Sequence, residues 1–220
     1  MIQSSSNLEH VYVVSDRKGR SVKTYSSPSG SEYITPDDSP NTNPPPPSVK
    51  ADIEDLGRKY LHAFTHHHGA SLRHLLLSDQ WPLGELDVTE LIRRCPNLTQ
   101  LGFAYGSPNA EVLRLLLPFL RDLTALRILE NEFSRIHEDN YTEEQMIEEM
   151  GRDMWKMGAE RMRWVQIGRR VFRIGEAYQV HGNGEWRRKV VPVRREEVEH
   201  VEIWGLDRLD CMVDRGAGVG

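Results

Sequence analysis

Cys95-Pro96-Asn97-Leu98-Thr99-Gln100-Leu101-Gly102-Phe103 is the stretch that decides how this chain is read. Leu98, Leu101 and Phe103 follow the spacing L-x-x-L-x-L. The same spacing recurs at Leu8/Val11/Val13, Leu72/Leu75/Leu77, Leu123/Leu126/Ile128, Met162/Val165/Ile167 and Val198/Val201/Ile203. Alternation of the last two apolar positions suits a strand, whose side chains face opposite sides by turns. Val88, Leu91 and Ile92, and then Val112, Leu113, Leu116, Leu117 and Leu120, recur at helical spacing between these segments. The pattern predicts an α/β protein of six strand-led units whose strands form one parallel sheet.

From first position to first position the steps are 64, 26, 25, 39 and 36 residues. The two short steps lie in the leucine-rich-repeat window of about 20–29 residues. Cys95–Phe103 resembles the C-P-x-L-x-x-L-x-L unit of the cysteine-containing repeats of F-box proteins. Val198-Glu199-His200-Val201-Glu202-Ile203-Trp204-Gly205-Leu206-Asp207 is similar to the last repeat of fungal F-box-like proteins. The resemblance runs from Leu72 to Asp210, with the first strand apart from it. It implies a leucine-rich-repeat-like right-handed αβ solenoid with irregular repeats. It also implies a role as the substrate-recognition part of an F-box-type ubiquitin-ligase adaptor. The asparagine that follows each strand in that family is matched only by Asn131; Asp16, Gln80, Gly106, Arg170 and Leu206 stand at the other equivalent positions. No F-box precedes the first strand, so a ubiquitin-ligase core is an expected partner only if an F-box lies outside this chain. A protein-interaction scaffold unconnected with ubiquitin is the alternative.

The expected organisation is a first repeat strand and turn at 1–20, a disordered Ser/Pro-rich insertion at 21–48, and the repeat solenoid at 49–214. A β-hairpin insertion occupies 169–193, and 215–220 forms a flexible tail. Residues 21–48 offer almost no apolar surface to offset the entropy of ordering. Ser27, Thr35 and Ser39, each before a proline, are candidate phosphorylation sites that would add about −1.5 to −2 charge apiece. From Ser48 to His68 a helix is expected, with Ile53, Leu56, Tyr60, Leu61 and Phe64 as its apolar stripe. His66-His67-His68 is a poor metal site, because successive helical residues point about 100° apart, and no metal or cofactor is expected. Thr142 and Gln145 form a capping box before a helix with Met146, Ile147, Met150, Met154 and Met157 inward. Asn183-Gly184 supplies the turn of the hairpin, and Pro192 places its second strand at an edge.

A net charge of −5 offers no general attraction to nucleic acid or anionic membrane. That average conceals a net −7 over residues 130–153 and a net +8 over 161–195. Arg187, Arg188 and Lys189 beside Trp186 make the hairpin a candidate RNA or polyanion site. Neutralisation by the acidic stretch is the favoured reading, and nucleic acid is not an expected partner. Two cysteines make no disulfide framework, so a reducing compartment, cytoplasmic or nuclear, is expected. The longest apolar run, Leu115–Leu120, falls far short of the roughly 18 residues of a membrane span, and no membrane partner is expected. Phosphate-loop, zinc-protease and nucleophile-elbow motifs are missing, so the chain reads as a non-enzyme whose partner is a protein substrate. If the strands align, Tyr12, His74, Gln100, Arg127, Trp164, Gln166, His200, Glu202 and Trp204 point away from the helices. These nine are the expected partner contacts on the concave face, Trp and Arg being common binding anchors.

Overall fold

Five of the six L-x-x-L-x-L segments become neighbouring strands in chain order. The computed structural model describes residues 8–13, 47–107, 111–182 and 184–205. β1 (His10–Tyr12), β2 (His74–Leu76), β3 (Gln100–Phe103), β4 (Ala125–Ile128) and β5 (Trp164–Ile167) pair in parallel. Val11, Leu75, Leu101, Leu126 and Val165 stand in line across the sheet, which is the register of the sequence spacing itself. All five are buried, and burying a side chain of this kind contributes about 1.5–3 kcal/mol.

The connections are α1 (Pro47–His68), α2 (Glu85–Arg94), α3 (Glu111–Leu116) with a 3₁₀ turn at Leu117–Phe119, and the pair α4 (Glu132–Asn140) and α5 (Glu143–Lys156). Leu61 and Phe64 of α1, Val88, Leu91 and Ile92 of α2, Leu113 of α3 and Met146, Met150 and Met154 of α5 share one core with the inward strand residues. Of the stripe expected on α1, Leu56 and Tyr60 are instead exposed. They lie at the rim, where the Tyr60 ring stacks on Trp81. Asn131 caps α4 by accepting from the Ser134 N–H, and its amide donates to the Tyr105 carbonyl at 2.6 Å. Thr142 and Gln145 close the expected capping box on α5.

The hairpin extends the sheet. β6 (Arg170–Gln179) pairs antiparallel with β5, and β7 (Trp186–Val193) pairs with β6, completing an open seven-stranded mixed sheet in sequential order. Gly168, at φ 57°, makes the tight return from β5 to β6, a backbone angle that residues with a Cβ adopt reluctantly. Pro192 lies in β7, the edge strand, as its missing N–H requires. Gly151 lets α5 lie close against β7: a Cβ there would meet the Arg188 carbonyl oxygen at 2.6 Å.

The sixth segment is not a strand. Arg195–Val198 is a 3₁₀ turn, and Glu202–Gly205 is a short helix, α6. The hairpin already occupies the edge beside β5 where a sixth parallel strand would pair. The segment instead lies on the sheet face opposite the helices, with Val198, Val201, Ile203 and Trp204 buried against Leu76, Ala125 and Val171. The expected insertion at 21–48 falls outside the described residues except for its last two positions, which belong to α1. Ser27, Thr35, Ser39 and the tail at 215–220 also lie outside them. Among the described residues, no helix is long and apolar enough to cross a membrane.

Candidate functional site

The sheet face opposite the helices gathers all nine residues expected to contact a partner, and the chain's own C-terminal segment, which supplies three of them, lies across it. Tyr12, His74, Gln100, Arg127, Trp164 and Gln166 come from successive strands, brought side by side by the common register. His200, Glu202 and Trp204 reach the same face from the segment that lies across it. The expectation of open contacts is thereby corrected for three of the nine. Arg127 is 3% exposed, Gln166 6% and Trp204 0%.

Ile203 shows how the face holds that segment. Its N–H donates to Gln100 Oε1 at 3.3 Å, and its carbonyl accepts from Arg127 Nη1 at 2.5 Å. Two side chains from adjacent strands thus grip both main-chain groups of one residue. Trp204 Nε1 donates to Gln166 Oε1, and the Gln166 amide donates onward to the Gly168 carbonyl at 2.5 Å. The Arg127 guanidinium lies 6.0 Å from the centre of the Trp204 ring system. A buried cation needs hydrogen bonds and a favourable electrostatic neighbour to offset its lost hydration, and Ile203 and Trp204 supply both. Trp164 is half-buried and meets the exposed His200 ring edge-on, with centroids 5.6 Å apart.

At the β1 end of the face, His10 and His74 are register partners whose rings stack 4.1 Å apart. The Glu202 carboxylate reaches over both, 2.7 Å from His74 Nδ1 and 3.5 Å from His10 Nδ1. The Tyr12 hydroxyl donates to the same carboxylate oxygen and stands 3.1 Å from His74 Nδ1. These contacts hold the Glu202 carboxyl below the usual carboxylate range, first through the Tyr12 hydrogen bond and then through His74. Burial raises the Tyr12 phenol well above its ordinary range, and the neighbouring carboxylate adds to that. Two imidazoles and a carboxylate are a set able to hold a metal ion, a grouping outside the expectation of no metal.

The basic hairpin is largely occupied by internal partners. Arg187 pairs with Glu148 of α5 at 2.9 Å and with Glu185 at 2.7 Å, and Arg152 of α5 reaches Glu185 at 2.9 Å. Arg188 is buried and donates to the carbonyls of Gly175 and Ala159. Its guanidinium is held below its ordinary pKa, chiefly by burial and then by the nearby Arg163. Lys189 is exposed. The acidic helix and the basic strand thus meet in the fold, as the favoured reading of their opposite charges anticipated.

Cys95 is fully buried at the end of α2, and burial pushes its thiol up to about 12. That environment suits a packing residue, since a nucleophilic cysteine needs a stabilised thiolate. The strand register brings His10 and His74 side by side, but the sequence carried no sign that Glu202 would join them. Val198 and Val201 share their spacing with the five segments that do form strands, so nothing local marked this one as different. Compared with protein-family models, with curated proteins and with solved structures, the chain matches none.

Proposed function

We propose that this chain is a protein-binding scaffold whose sheet face receives a short peptide segment. The observation that carries the reading is the grip of Gln100 and Arg127 on the two main-chain groups of Ile203. Side chains that bind main chain accept many sequences, while the neighbouring apolar surface around Leu76, Ala125 and Val171 selects the side chains that fit. In the described residues the occupant is the chain's own Arg195–Gly205, so a partner that uses the face competes with this segment. The resemblance to F-box leucine-rich repeats supports the narrower proposal of a leucine-rich-repeat-like solenoid that recognises substrate for a ubiquitin-ligase adaptor. The in-line strands, each followed by a helix up to β5, support the same reading.

The test uses a fluorescent peptide of residues 195–205 added to the full chain carrying Trp204→Ala, which releases the internal segment. Saturable binding is expected, with loss when Arg127→Ala is added, while far-UV circular dichroism stays that of the folded chain. Absence of binding to the folded Trp204→Ala chain would reject the peptide-receiving face. For the narrower proposal, the full-length gene product should recover a cullin–RING core from cell extract. Failure to do so leaves the ubiquitin-unconnected scaffold as the surviving reading.

A further inference from the structure

We infer that His10, His74 and Glu202 form a binding site for a divalent transition-metal ion of the zinc class. The ion would clasp the C-terminal segment to the sheet. The inference is independent of whether the face receives a protein partner. The two histidines lie opposite each other on β1 and β2, and Glu202 arrives from α6, 128 residues beyond His74. Metal–nitrogen bonds of about 2.0–2.1 Å and metal–oxygen bonds of about 2.0–2.2 Å set donor atoms about 3–4 Å apart around one ion. The His10–Glu202 distance of 3.5 Å falls within that range, and the His74–Glu202 distance of 2.7 Å lies just below it. All three donors lie within 4.8 Å of one another.

Imidazole and carboxylate donors suit zinc and its neighbours rather than calcium or magnesium, which prefer oxygen alone. The rings are nearly parallel, 12° apart, so one ion cannot lie in both ring planes until one ring turns. His10 has room to do so, since its side chain is 40% exposed against 13% for His74. Tyr12, already hydrogen-bonded to Glu202, would orient the carboxylate, the usual task of a group that contacts a ligand rather than the ion. Because two ligands belong to the sheet and one to the segment, metal binding and docking of the segment are linked. Each must strengthen the other.

The experiment titrates zinc chloride into the tag-free, chelator-stripped full chain by calorimetry, with the visible absorption of bound cobalt(II) as a second readout. The controls are His74→Ala, Glu202→Gln and the double variant His66→Ala/His67→Ala, which removes two of the three histidines of the run on α1. One ion per chain is expected. Affinity should fall at least about tenfold in His74→Ala and Glu202→Gln and stay unchanged in the α1 variant. Zinc should also slow hydrogen exchange across 198–205 in the wild type but not in Glu202→Gln, a variant that keeps the size of the side chain. Lack of saturable binding, affinity unaffected by Glu202→Gln, or loss of binding in the α1 variant would each overturn the site. None of these measurements involves a protein partner, so their failure is separate from failure of the peptide-binding proposal.

Discussion

Trp204→Ala should free the C-terminal segment while leaving the sheet folded. The indole is fully buried. A tryptophan buries about 150–250 Å², which at about 25 cal/mol per Å² gives about 4–6 kcal/mol. Mutation of buried aromatic residues to alanine costs about 3–5 kcal/mol. The remaining apolar anchors, Val198, Val201 and Ile203, together contribute about 5–9 kcal/mol. Ordering the backbone from Val198 to Trp204 costs about 7–14 kcal/mol. With the indole the two sides roughly balance before the hydrogen bonds of Ile203 are added. Without it the segment has too little buried surface to stay docked, and Gln166 also loses the donor to its Oε1. Hydrogen exchange followed by mass spectrometry reads the result peptide by peptide. Protection should vanish across 198–205 and persist across 98–103 and 123–128, whose helix-facing residues belong to the other core. Unchanged protection at 198–205 would refute the docking energetics. Uniform loss across every strand would refute the independence of the segment from the sheet.

Gly151→Ala should destabilise the protein by about 1–3 kcal/mol, because the new Cβ meets the Arg188 carbonyl, even though alanine is the better helix former by about 1 kcal/mol. A higher urea midpoint in the variant would show that α5 and β7 are not in close contact. Cys95 should resist alkylation in the native chain at mildly alkaline pH and react once urea is added, since its thiol is buried and pushed up to about 12. Peptide mapping separates it from Cys211, and native labelling at Cys95 would contradict its burial.

The parts of the fold legible beforehand were those set by short-range patterns. The spacing Leu98/Leu101/Phe103 and its counterparts fixed which strand residues face the helices, because a strand repeats every second residue and neighbouring strands share the offset. Thr142 and Gln145 marked the start of α5 through contacts only three residues apart. The sixth segment misled for a physical reason. Val198, Val201 and Ile203 satisfy the strand spacing, but Val198 and Val201 equally satisfy a helical turn. Only competition for the edge of β5 decides between them. The hairpin sequence announced its turn and its two strands, yet nothing local told that β6 would pair with β5 and fill that edge.

The candidate site divides in the same way. Its outward rows, including the pairing of His10 with His74, follow from the register that the repeated spacing encodes. The covering of Arg127 and Gln166, the grip on Ile203 and the arrival of Glu202 above two histidines do not. They depend on a segment returning to strand residues between 38 and 128 positions earlier in the chain. By itself the sequence determined the strand register and the start of α5, because local periodicity and a contact three residues long express these directly. It displayed the opposite charges of an acidic helix and a basic strand without deciding that they meet. Tertiary structure alone decided that the chain's own C-terminal segment lies on the face its strands present. That choice rests on which long-range burial outweighs the entropy of ordering the segment, a balance struck between residues that no local pattern connects.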